Sequence, residues 1–209
     1  MIEAVIWDFG GVLTTSPFEA FVRFERSRGL PEDLIRRINA TNPLENAWAR
    51  LERGEIDRDT FDAAFAAEAR ALGHELRGAD VLPLLVGELR PEMVEALRRV
   101  HARMLTGCIT NNIPREADGG GTQTIYRQEV MALFHHVIES AKLGLRKPDP
   151  RVYAMMVQAL GVDPECCVYL DDLGINLKPA RQMGMQTIKV TDPAAALDEL
   201  EALVGFPLR

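Results

Sequence analysis

Four stretches of this 209-residue chain carry side chains that could do chemistry together. Asp8 is followed by Gly10, Gly11, Thr14 and Thr15, and Thr110 by Asn111 and Asn112. Arg146 precedes Lys147, and the pair Asp171-Asp172 leads to Gly174 and Asn176. Carboxylates, a cation and a hydroxyl gathered in one crevice suit a hard divalent cation and an anionic substrate, because such ions take oxygen ligands. Two adjacent carboxylates and a third from elsewhere repel strongly unless a cation neutralises them, which is the physical reason to expect Mg2+. Each piece alone has a plainer use. Asp8 can start a turn with its two glycines, Asp171-Asp172 can cap a helix, and a lysine before proline is ordinarily a solvated charge. The joint placement is what points to a site.

Whether the four stretches converge depends on the elements that carry them. Short apolar runs at residues 4–9, 104–109, 136–139, 166–170 and 186–190 read as buried parallel strands. Helical spacing follows at 91–103, 150–160, 175–183 and 194–203, the second opened by Asp149-Pro150 and closed by Gly161. This alternation predicts an α/β fold with a doubly wound, parallel, Rossmann-like sheet. Ligands in such sheets bind beyond the carboxyl ends of the strands, where these four stretches would lie. Residues 17–86 break the pattern: Phe18, Phe21 and Val22 form one apolar face, two short helices follow over 31–40 and 44–51, and Asp57 caps a helix over 58–72. The predicted organisation is an α/β core of residues 1–16 and 87–209 with an all-helical insert, 17–86, after the first strand. Pro17, Pro83 and Gly87 mark the joins as hinges.

Composition narrows the class. With 47% hydrophobic and 26% charged residues the chain can bury a sizeable core, which excludes disorder and disulfide scaffolds. The net charge of −7 disfavours nonspecific nucleic-acid binding. Three cysteines, Cys108 and the adjacent Cys166 and Cys167, offer no zinc or redox spacing. With no secretory leader and no apolar run of about 18 residues, the expectation is a reduced, cytoplasmic protein without membrane partners.

The segments Val5-Ile6-Trp7-Asp8-Phe9-Gly10-Gly11-Val12-Leu13, Thr110-Asn111, Lys147-Pro148 and Asp171-Asp172 with Asn176 resemble, in order, the four motifs of haloacid-dehalogenase-superfamily hydrolases. Gly144 to Pro150 is most similar to phosphatase-like members related to the N-terminal domain of soluble epoxide hydrolases. The resemblance implies that the insert is a C1 cap and that Asp8 is a nucleophile forming an aspartyl-phosphate. It implies that Thr110 and the Asn111 backbone N–H hold a phosphoryl oxygen, and that Lys147 neutralises phosphate charge and restrains Asp8. Mg2+ would be held by Asp8, the Gly10 carbonyl, Asp172 and, directly or through water, Asp171, while Asn176 orients the loop. Substrates would be small phosphorylated metabolites.

One departure stands out. Phosphatases of the family usually carry a second Asp two positions after the nucleophile, where this chain has Gly10. A carbonyl ligand survives the change, but the side-chain acid and base are lost, a contribution of about 10²–10⁴-fold. Turnover would be slow or biased toward acidic leaving groups, unless Asn42, Glu45, Asn46 or Glu52 of the insert substitutes. A regulatory phosphate-binding protein without turnover is the alternative. A dehalogenase is disfavoured by the tandem Asp171-Asp172, and a phosphonatase by the absence of lysine from residues 17–86. Residues 113–124, with Gly119 to Gly121, are long enough to gate the site. His135-His136, Trp7 and Trp48 read as structural.

Overall fold

The computed structural model describes residues 1–113 and 122–209. Five strands, β1 (Ala4–Trp7), β2 (Leu105–Thr110), β3 (His136–Glu139), β4 (Cys167–Asp171) and β5 (Gln186–Lys189), form one sheet in the order β3-β2-β1-β4-β5. Every pairing is parallel. The central strand β1 is buried along its whole length, and its alternating side chains supply two cores. Val5 and Trp7 join α6 (Pro91–His101) and α11 (Pro193–Val204) on one face. Ala4 and Ile6 join α9 (Pro150–Leu160) and α10 (Gly174–Gln182) on the other. The doubly wound parallel sheet is therefore as expected, with strand bounds moved by a residue or two.

Helix ends follow local chemistry. Asp149 accepts from Arg151 N at 2.9 Å at the start of α9, and Gly161 closes it in the left-handed conformation. Residues 17–85 contain α1 (Pro17–Arg28), α2 (Leu34–Ala40), α3 (Ala47–Glu52), α4 (Arg58–Ala71), α5 (Gly78–Val81) and a short 3-10 turn, and no strand. Asp57 caps α4 through Thr60 N at 2.8 Å, as its position predicts, a contact worth about 1 kcal/mol. The two helices expected at 31–40 and 44–51 start three residues later. Asp33 adopts φ 60°, and the Asn46 side chain accepts from Ala49 N to open α3 at Ala47.

This helical layer has a core of its own, in which Trp48 packs edge-on to Phe21 and Phe61 with ring centroids 6.3 and 5.7 Å apart. Trp48 is structural, and so is Trp7. Glu25, 1% exposed, accepts from Asp33 N and Ile35 N at 2.9 and 2.8 Å, so a carboxylate from α1 caps α2. The chain enters and leaves the layer through two paired segments. Thr15 N donates to Glu88 O, Arg90 N to Leu13 O, and Glu88 N to Thr15 Oγ1, all at 2.8–3.0 Å. A Cβ on Gly87 would lie 2.5 Å from Thr15 O, which is why glycine stands there. No helix among the described residues is long and apolar enough to cross a membrane.

Candidate active site

Strand β1 delivers Asp8 to the carboxyl edge of the sheet, its own N–H continuing the ladder to Leu170 O at 2.8 Å. The carboxylate is 7% exposed, and Oδ1 accepts from Phe9 N at 2.7 Å. Lys147, in the loop between α8 (Ser140–Leu143) and α9, is 1% exposed and places Nζ 2.8 Å from both Asp8 Oδ1 and Asp171 Oδ2. Burial by itself favours the neutral amine, but Asp171 and Asp8 override it and hold Lys147 above the ordinary lysine range. The site ammonium is thus fixed between two carboxylates.

Asp171 ends β4 and is fully buried. Oδ1 accepts from Leu173 N at 2.8 Å, the Asn176 amide spans both oxygens at 3.1 and 3.2 Å, and Tyr169 OH donates to Oδ2 beside Lys147. Asn176 is positioned in turn by Tyr153 OH on its carbonyl at 2.7 Å. Asp172, half-buried, comes within reach of the others: Asp8, Asp171 and Asp172 each offer an oxygen within 4.8 Å of the rest. Gly11, at φ 77°, lets the β1 loop pass so close that a Cβ would strike the Asp172 carboxylate. Ser16 Oγ donates to Asp172 Oδ2 at 3.5 Å, the one hydrogen bond from the first join into the cluster.

Three carboxylates meet one ammonium here, so the cluster carries uncompensated negative charge. Burial, with Asp171 and Asp172 adding to it, raises Asp8 against the pull of Lys147. Burial and Asp171 push Asp172 up to about 6. A hard divalent cation fits this set, since the donors are oxygens and their repulsion is what it would relieve. Asp8 and Asp172 are the better placed to ligate it. The hydrogen bonds on Asp8 fall on Oδ1 alone, whereas both oxygens of Asp171 are occupied by Lys147, Tyr169, Asn176 and Leu173.

The other sequence-predicted residues are placed with a change of emphasis. Thr110 ends β2, half-buried. The Asn111 side chain is engaged with Lys147, accepting from its N–H at 2.8 Å and donating to its carbonyl at 3.1 Å, so it sets the backbone that carries the ammonium. Gly10 is exposed, with nothing within 4 Å of where a Cβ would stand. Of the four insert candidates, Asn46 is spent on α3 and on the carbonyls of Asn39 and Thr41, while Glu52 is 8% exposed and paired with Arg146. Most of the expected gating stretch, including Gly119 to Gly121, lies outside the described residues; Ile113 packs against the helical layer. His135 Nδ1 accepts from Thr106 N at 3.1 Å and its ring packs, tilted, against His101, at the opposite end of the strands from Asp8. The cysteines are free, and burial raises Cys108 and Cys167, leaving inert thiols.

Tyr169 escaped the sequence reading. Its alternation with Asp171 on β4 was the available signal, since residues two apart share a face. Tyr169→Phe removes one donor from a buried carboxylate and is expected to lower stability by about 1.5–3 kcal/mol, the range for a hydrogen bond to a charged group. Urea unfolding of the metal-free protein measures this.

A parallel sheet with buried carboxylates and a lysine at its carboxyl edge is a charged α/β site for a cation and an anionic ligand, and the sequence places it further. The chain matches the haloacid dehalogenase-like hydrolase family over residues 2–184 and belongs to that family. It is 30% identical to mouse bifunctional epoxide hydrolase 2 over 99% of this chain and 40% of that protein, so it spans well under half the relative's length. It is 28% identical to the sesquiterpene phosphatase AstK of Aspergillus oryzae over 97% of both chains. A HAD-like family hydrolase structure from Porphyromonas gingivalis shares the fold, with a TM-score of 0.69, 20% identity and 98% coverage of both chains.

Proposed function

We propose that the protein is a magnesium-dependent phosphatase of small phosphorylated metabolites, working through an aspartyl-phosphate on Asp8. The observation that carries this reading is the Asp8–Lys147–Asp171 chain beside Asp172, a negative cluster with the Asp8 carboxylate held by a buried ammonium. Asp8, Asp172 and the Gly10 carbonyl would hold Mg2+, with Asp171 behind them. When bound, the ion supplies charge neutralisation between carboxylate and phosphate.

A carboxylate oxygen of Asp8 attacks phosphorus, a P–O bond forms to the carboxylate, and the bond to the ester oxygen breaks. Lys147 offsets the charge that gathers on the phosphoryl oxygens, with Thr110 and the Asn111 N–H as further donors. Water then cleaves the acyl phosphate and restores Asp8. Gly10 supplies no proton to the leaving oxygen, so acidic leaving groups are favoured. Residues 17–86 act as the cap and exclude bulk water.

The test is hydrolysis of p-nitrophenyl phosphate with Mg2+ and with chelator, together with beryllium fluoride trapping on Asp8. Magnesium-dependent turnover and a trapped adduct are expected. Phosphate-dependent thermal stabilisation without turnover would replace this reading with a phosphate-binding protein.

A further inference from the structure

We propose that Glu52 and Arg146 form the catch that holds the cap closed over the Asp8 site, and that Arg146 is thereby a positioning residue for Lys147. The proposal rests on the phosphatase reading for its catalytic half and on geometry alone for the catch. Glu52 is the last residue of α3 in the cap, and Arg146 belongs to the core loop that carries Lys147. Arg146 Nε lies 2.7 Å from Glu52 Oε2. The contact is an ion pair, and neither atom makes a hydrogen bond among the described residues. Arg146 Nη1 also donates to Pro43 O at 3.2 Å, so one core side chain grips the cap at two points nine residues apart in sequence.

The cap side is pre-aimed. Trp48, locked among the rings of Phe21 and Phe61, donates Nε1 to Glu52 Oε1 at 2.9 Å. Two residues after Glu52 the backbones themselves meet: a Cβ on Gly54, at φ 69°, would lie 2.5 Å from Ala141 O of α8. Gly54 is what allows the end of α3 to come down onto α8.

The core side leads directly to the chemistry. Arg146 is one peptide bond from Lys147, whose N–H and carbonyl are both held by Asn111 and whose Nζ touches Asp8. Seating Arg146 against the cap fixes the chain on one side of Lys147 while Asn111 fixes the residue itself. An ion pair suits a catch that must release. Two charges separated into water regain their hydration, so the pair is near balance, whereas one partner left buried alone is heavily penalised. An apolar seam of the same size would have no such compensation on opening.

The test uses full-length Glu52→Gln, Arg146→Gln and the double variant. Gln at 52 keeps an acceptor for Trp48, so the cap fold is retained; Arg146→Gln tests the same contact from the core should that variant fail to fold. Hydrogen exchange of residues 43–54 and 140–146 is expected to speed up about tenfold in each single variant. The double variant should be no faster, and exchange in α4 and the central strands should be unchanged. Turnover of p-nitrophenyl phosphate is expected to fall about tenfold in kcat. Unchanged exchange, or effects that add in the double variant, overturns the catch. Faster exchange with undiminished kcat overturns the positioning role. If the unsubstituted protein shows no turnover, the phosphatase reading and the positioning role fall together, while the exchange result still decides the catch.

Discussion

Gly10→Asp is expected to raise kcat for alkyl phosphates by about 10²-fold or more while changing p-nitrophenyl phosphate turnover little, because the gain is that of a general acid. An alkoxide leaves only with a proton, whereas nitrophenolate departs without one. The structure makes room for the new carboxyl. Gly10 is exposed, its backbone lies outside the left-handed region, and no atom comes within 4 Å of the added Cβ. Nothing steric keeps glycine at this position, in contrast to Gly11, where the Asp172 carboxylate blocks any side chain. The measurement is kcat across a series of leaving groups. The unsubstituted protein should show a steep dependence on leaving-group acidity that flattens in the variant. Equal slopes would mean that proton transfer is supplied elsewhere.

Asp8→Asn is expected to remove turnover by about 10⁴-fold or more, the scale on which nucleophile deletions act, without unfolding the protein. The amide still accepts from Phe9 N and Lys147, and Lys147 keeps its contact with Asp171. Asp8 is a buried carboxylate whose ionised form is disfavoured by desolvation and by Asp171 and Asp172. Neutralising it relieves that repulsion in the metal-free state. Thermal unfolding in chelator should therefore show a midpoint no lower than that of the unsubstituted protein, while the stabilisation by added Mg2+ shrinks. A collapsed midpoint would assign Asp8 a structural role, and retained activity would remove it as the nucleophile.

Much of this was legible in the residues. The strands are continuous apolar runs because both faces of a parallel sheet are covered, and their ends announce themselves by the change to Asp8, Thr110 and Asp171. Asp57 and Asp149 declare their helices because capping is local. What stayed hidden was tertiary. Glu25 caps a helix it does not belong to, Asn111 spends its amide on Lys147, and Glu52 meets Arg146 across 94 positions of chain (146 minus 52). Such pairings have no periodicity to betray them. Charge repulsion marks the carboxylates of the site, with Lys147 and Asn176 expected beside them, but not the Tyr169 hydroxyl, since a tyrosine inside an apolar run reads as core.

The paired segments at residues 13–15 and 88–90 have a consequence for the way the molecule could be taken apart. Because the two crossings lie side by side, the intervening polypeptide starts and finishes at almost one point of the scaffold. Loop length then matters little to the scaffold, since closure entropy grows only with its logarithm. A helical layer attached this way is a pendant, open to exchange for one of another size or chemistry while the sheet below keeps its own carboxylates and lysine in register.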